Sequence, residues 1–106
     1  MSMEIWKDIP GYEGLYKGSN LGRVKSIPRT VSKKINHTAK GGILRGSKNP
    51  KGYSFVKLYN DTSKRTLAVH RLVMLAFVGP SNLQVDHINS IRDDNRLENL
   101  EYVTNR

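Results

Sequence analysis

Glu4-Ile5-Trp6-Lys7-Asp8-Ile9 carries the period-two alternation of a half-buried strand, and Pro10-Gly11 stops it. Tyr12, Leu15 and Tyr16 follow, then the turn-forming set Gly18-Ser19-Asn20 and Gly22. Arg23-Val24-Lys25-Ser26-Ile27 reads as a second short strand closed by Pro28, and Ile43-Leu44-Arg45 as a third within a glycine-bearing polar stretch. Tyr53 to Tyr59 is rich in strand formers and Arg65 to Val69 returns across Asn60-Asp61-Thr62-Ser63, which predicts a hairpin. The period then changes. Val69, Leu72, Val73, Ala76 and Phe77 fall at i, i+3, i+4, i+7 and i+8, one apolar face of a helix that Gly79-Pro80 ends. Val85–Ile88 and Leu100–Val103 read as strands around the polar loop 89–95. No segment repeats. One helix able to plug a small twisted antiparallel sheet, with a hairpin after it, makes the class α+β.

Charge adds a direction to this frame. The 106 residues hold 18 Lys+Arg against 9 Asp+Glu, a net +9. Residues 1–22 sum to −1 and 72–106 to −2, while 23–71 carry +12. A basic middle between mildly acidic ends predicts an anionic partner, with nucleic acid ahead of a membrane surface. The candidate phosphate contacts are Arg23, Lys25, Arg29, Lys33, Lys34, Lys40, Arg45, Lys48, Lys51, Lys57, Lys64 and Arg65. For 29–51 a disordered basic linker fits the composition equally well. The chain has no Cys, which excludes disulfides and thiolate zinc sites, and His37, His70 and His87 lack chelating spacing. No apolar run suits a membrane span and the N-terminus is no signal peptide, so a cytoplasmic location is expected. Lys40-Gly41-Gly42 lacks the frame of a phosphate-binding loop, so no nucleotide cofactor is expected. Trp6, Tyr12 and Tyr16 read as core rather than as base-stacking platforms.

Four polar residues stand apart: Asp86 and His87 on one strand, Asn99 before the next, and His70 at the helix start. Strand neighbours point to opposite faces, so Asp86 and His87 cannot both face a core. A carboxylate beside an imidazole, with an amide across a hairpin, is the equipment for metal-assisted phosphodiester cleavage. The carboxylate holds a hard divalent cation, and the imidazole takes a proton from the attacking water near neutral pH.

Leu83-Gln-Val-Asp-His-Ile-Asn89, followed by Asp94-Asn-Arg-Leu-Glu-Asn-Leu-Glu-Tyr-Val-Thr104, resembles the HNH nuclease motif of phage and intron homing endonucleases. Val69-His-Arg-Leu-Val-Met-Leu-Ala-Phe77 is similar to the helix that precedes this motif. Glu4 to Tyr16 and Ser19 to Ser26 resemble the nuclease-associated modular DNA-binding motif found at the N-terminus of those enzymes. The resemblance implies His87 as general base, Asp86 as metal ligand, and Asn99 as the residue that braces the hairpin loop so that the base is aimed. His70 matches a recurrent family histidine, for which a ring bonded to nearby backbone is the simpler reading.

The family's ββα-metal fold carries its last ligand, an Asn or His, on a helix beyond the Val-Thr pair. Thr104 is then that helix's N-cap and the ligand's position lies past Arg106, Asn105 being too early, so most of the last helix is expected to be missing. The expected organisation is an N-terminal motif at 1–27, a basic β-rich segment at 28–68 and an HNH region at 69–106. The first functional expectation is a monomeric HNH endonuclease, or its core, nicking double-stranded DNA with a single Mg²⁺ or Mn²⁺. A catalytically inactive DNA-binding or inhibitory protein on the same scaffold stays open, and so does an RNA-binding β domain. An enzyme needs Asp86, His87 and a second ligand at one pocket; a binder needs only the basic face.

Overall fold

The structure, a computed structural model, describes residues 3–30, 38–39, 41–60 and 62–104, apart from the side chains of 29–30 and 38–39. Lys33, Lys34, His37, Lys40, Asn105 and Arg106 therefore lie outside the described residues, as does the side chain of Arg29. The strands, in chain order, are β1 (Trp6–Asp8), β2 (Tyr16–Ser19), β3 (Val24–Ser26), β4 (Arg29–Thr30), β5 (Thr38–Ala39), β6 (Gly42–Ile43), β7 (Ser47–Lys48), β8 (Ser54–Tyr59) and β9 (Lys64–Ala68). The helix α1 (Val69–Phe77) follows, then β10 (Gln84–His87), a 3₁₀ turn at Leu97–Asn99 and β11 (Leu100–Val103). All pairing is antiparallel: β1-β2-β3-β6, β7-β8-β9, β4-β5 and β10-β11 form four small sheets. This is the expected α+β architecture.

Helix α1 begins directly from β9 and spans the predicted residues, because the apolar face at 69, 72 and 73 has sheets on several sides to bury against. It packs on β1, β2, β8, β9, β10 and β11, so one core joins the N-terminal sheet to the β8-β9 and β10-β11 hairpins. Leu72 and Val73 share that core with Ile9, Tyr16, Val24, Val56, Leu58 and Leu100. The backbone N–H of Val78 and that of Gly79 both donate to the Met74 carbonyl, and Gly79 takes φ +120°, which closes the helix where expected.

Strands β2 and β7 differ from the sequence expectation, as do the two-residue strands β4 and β5 inside the basic stretch. Gly18-Ser19 is not a turn but the end of β2, and Ser19 is fully buried. Ser19 Oγ accepts from the N–H groups of Leu21 and Arg23, so the hydroxyl builds the following turn from inside. Strand β7 has no period of its own in two residues; its pairing to β8 is what orders it. Tyr16 also ties the sheets together, its hydroxyl accepting from the Tyr59 N–H at 3.0 Å.

The core assignment carries a stability prediction. Leu72 is 3% exposed, so Leu72→Ala is expected to cost about 2–5 kcal/mol in urea unfolding. Phe77 is only half-buried under the Lys7 ammonium, 5.1 Å from its ring centre, and Phe77→Ala is expected to cost less. Equal losses would mean that the helix face is wrongly oriented.

Candidate functional site

Strand β10 separates its two polar neighbours onto opposite faces. Asp86 is exposed on the outer face, directly opposite Glu101 of β11. His87, 6% exposed, turns inward beneath the hairpin. Its ring lies 5.0 Å from that of His70 and 5.8 Å from that of Tyr53, and Tyr53 in turn lies 5.4 Å from His70. The three rings enclose one another at the junction of β8, α1 and β10.

The hairpin loop between β10 and the 3₁₀ turn is held by side chains that supply what a β-ladder would otherwise give. Asn99, buried at 5% exposure, donates from Nδ2 to Asn89 Oδ1 and to the Asp94 carbonyl, both at 2.9 Å. Its Oδ1 accepts from the Asn89 N–H at 3.0 Å, and its carbonyl accepts from the Ile88 N–H at 2.8 Å. Asn89 Nδ2 donates to Asp94 Oδ2 at 2.7 Å, while Arg96 grips the same carboxylate with two bonds of 2.8 Å. The Arg96 guanidinium holds the Asp94 carboxyl well below the usual carboxylate range. Ser90 stands at φ +66° at the tip, a left-handed geometry that this clamp sustains.

His70 departs from the expectation of a backbone-bonded ring: its Nδ1 is buried with no hydrogen-bond partner among the described residues, and the ring instead packs edge-on to His87. Burial, followed by the neighbouring His87 and Arg71, pulls its pKa down to about 4. The unfolded imidazole, near its ordinary value of about 6.5, binds more protons than the folded one between these limits. Stability from this group is therefore complete above about pH 6.5 and is lost as the pH falls toward about 4. The expected loss is about 3 kcal/mol at most, and His70→Phe should remove that part of the pH slope in urea titrations run from about pH 7 to 4.

Among the candidate DNA contacts, the structure divides spent from unspent charge. Arg23 is paired with Glu4 and lies over the Trp6 ring, which Lys25 also covers at 4.3 Å. Lys48 is paired with Asp93 at 2.5 Å. Arg45, Lys51, Lys57, Lys64 and Arg65 are exposed and form no ion pair with a described residue. Lys57 and Lys64 share the outer face of β8-β9 with Tyr59 and Thr66, and Arg45 borders the same face. Arg65, one residue along, points to the other side, into a cleft with Tyr12, Leu72 and Tyr102.

One contributor was missed from the sequence. Asn95 sits between charged neighbours and reads as solvated loop, yet it is 4% exposed and its Oδ1 lies 2.8 Å from His87 Nε2. Only closure of the loop over the strand reveals it.

As to a metal ion, the donor set at Asp86 is oxygen, which suits a hard divalent cation that takes its remaining ligands from water and substrate phosphate. Among the described residues no group of three or more His, Asp or Glu side chains gathers in one place; this face of the hairpin presents Asp86 and, directly opposite it, Glu101. No helix among the described residues is long and apolar enough to cross a membrane.

Comparison with known proteins gives this arrangement a family. Residues 4–59 match the model of the NUMOD4 motif, and residues 67–106 match that of HNH endonucleases. DNA endonuclease I-HmuI of Bacillus phage SP01 is 39% identical over 103 residues, covering 95% of this chain and 53% of that protein. The uncharacterized HNH endonuclease L247 of Acanthamoeba polyphaga mimivirus is 40% identical over 107 residues, covering 95% of this chain and 24% of that protein. A solved structure described as "DNA binding and cleavage by the HNH homing endonuclease I-HmuI" superposes with a TM-score of 0.75 at 36% identity, over 94% of this chain and 52% of the other. The chain thus spans about half of the phage relative and about a quarter of the viral one. The HNH endonuclease family generally uses a divalent metal. With a NUMOD4 motif followed by an HNH endonuclease domain, and homology to I-HmuI across almost its whole length, this chain belongs to the NUMOD4-bearing HNH endonucleases.

Proposed function

We propose that this chain is the core of a DNA endonuclease that nicks double-stranded DNA as a monomer in the host cytoplasm, with one Mg²⁺ or Mn²⁺ ion. The observation that carries this reading is β10 itself. It carries a solvent-facing carboxylate, Asp86, and on the opposite face the imidazole of the next residue, His87, at the root of a loop that Asn99 and Arg96 hold. His87 takes the proton of the attacking water, a role suited to an imidazole near neutral pH. Asp86 is the ligand this chain offers to the cation, and Asn99 aims the base by fixing the loop. When bound, the cation neutralises charge on the scissile phosphate and the leaving oxygen.

The N-terminal motif (1–27) and the basic segment (28–68) then hold the duplex while the HNH region (69–106) cuts it. Arg45, Lys51, Lys57, Lys64 and Arg65 supply phosphate contacts, Lys57 and Lys64 from one sheet face. Lys33, Lys34, Lys40 and Arg29 join them on charge alone. The competing reading, an inactive DNA-binding protein on the same scaffold, draws support from the opposite faces of Asp86 and His87 and from the lack, among the described residues, of a cluster of three or more candidate ligands. Supercoiled plasmid with Mg²⁺ or Mn²⁺ separates the two. Conversion to the open-circular form that stops on chelation supports the enzyme; binding without conversion supports the inactive protein.

A further inference from the structure

The amide of Asn95 does something that the loop's architecture does not require. The loop is already closed by Asn99, Asn89, Asp94 and Arg96, and none of those bonds uses the Asn95 side chain. Asn95 instead turns inward, 4% exposed, and places Oδ1 2.8 Å from His87 Nε2. A carbonyl oxygen only accepts, so the proton of this bond belongs to the imidazole. In the neutral ring, His87 Nε2 then carries the hydrogen and the lone pair is left on Nδ1, which makes no hydrogen bond with a described residue. Tyr53 and His70 pack against the ring, with centroids 5.8 and 5.0 Å away, and limit its rotation.

The position of Asn95 is set from the opposite end of the chain. Gly22 takes φ +89°, and a Cβ there would come within 2.6 Å of the Asn95 carbonyl carbon, 2.8 Å of its oxygen and 3.0 Å of the Arg96 nitrogen. The turn that Ser19 builds therefore lies directly on the backbone that carries Asn95. Two residues on, the Leu97 N–H donates to the Asn20 carbonyl at 2.8 Å, which fixes the same contact a second time.

We propose that Asn95 is a positioning residue: seated on the Asn20–Gly22 turn of the N-terminal motif, it holds His87 as the Nε2–H tautomer and leaves Nδ1 as the atom that takes the proton from water. The first motif of the chain then serves the cutting centre as a structural brace, whatever it contributes to holding DNA. The proposal rests on the reading of His87 as the base, but its main test does not involve cutting.

That test is an NMR experiment on ¹⁵N-labelled protein at about pH 8.5, where the neutral ring's tautomer is read from its nitrogen shifts. His87 is identified by the signal missing from His87→Gln. The expected result is a downfield, slowly exchanging ring proton on Nε2. It should vanish in Asn95→Ala, survive in Asn95→Asp, which keeps an acceptor, and weaken in Gly22→Ala, which displaces the seat. Where the parent nicks plasmid, Asn95→Ala should lower the rate about 10–100-fold with DNA affinity unchanged, and Asn95→Asp should recover part of it. A parent ring proton on Nδ1 overturns the proposal even if Asn95→Ala fails to fold, and so does an Nε2 proton that persists unchanged in Asn95→Ala. A parent with the expected Nε2 proton that does not cut refutes the nuclease reading and leaves the Asn95–His87 bond standing.

Discussion

His87→Ala is expected to lower metal-dependent plasmid nicking by about 10²–10⁴-fold while DNA binding persists. The size follows from the role: an imidazole that removes the water's proton contributes to the transition state and adds nothing to affinity for phosphate. His87 is also nearly buried and faces the ring cluster rather than the outer face, so no DNA contact is lost with it. Asp86→Ala should lose nicking for a different reason, the loss of the cation's anchor. It should bind DNA as well as the parent or better, because it deletes an exposed negative charge that already faces Glu101. The two variants therefore separate by cation titration. Raising Mn²⁺ should restore part of the Asp86→Ala rate and none of the His87→Ala rate. Undiminished cutting by His87→Ala would remove the base assignment.

What the sequence showed and what it hid divide along one physical line: local period against long-range closure. Val69, Leu72 and Val73 announce α1 because a 3.6-residue period is a property of neighbours in the chain. The hairpin of β8 and β9 was legible for the same reason, being two strand-forming runs across a four-residue turn set. Strand β2 was concealed because Gly18 and Ser19 are turn formers by composition, and only pairing with β1 and β3 makes them strand. Asn99 stood out through its motif, whereas Asn95, flanked by Asp94 and Arg96, carried no local mark of burial. The charges behaved likewise. Twelve basic residues were candidates for phosphate, but nothing in their order showed that Glu4 occupies Arg23 or that Asp93 occupies Lys48.

That division of charge yields the other large expected effect, the salt dependence of DNA binding. Among the candidate contacts, five exposed cations, Arg45, Lys51, Lys57, Lys64 and Arg65, form no ion pair with a described residue. About five phosphate contacts give a slope of log K against log salt of about −4 to −5, so affinity should fall about 10²–10³-fold between roughly 50 and 200 mM salt. Lys57→Gln and Lys64→Gln should each flatten the slope by about one, since each deletes one released counterion. Lys48→Gln is the internal control. Its ammonium already lies 2.5 Å from an Asp93 oxygen, so its loss should leave the slope nearly unchanged. A slope near zero in the parent would remove the nucleic-acid reading altogether. Equal effects from Lys48 and Lys57 would instead show that the Asp93 pair opens on the duplex and that the DNA path crosses the hairpin loop.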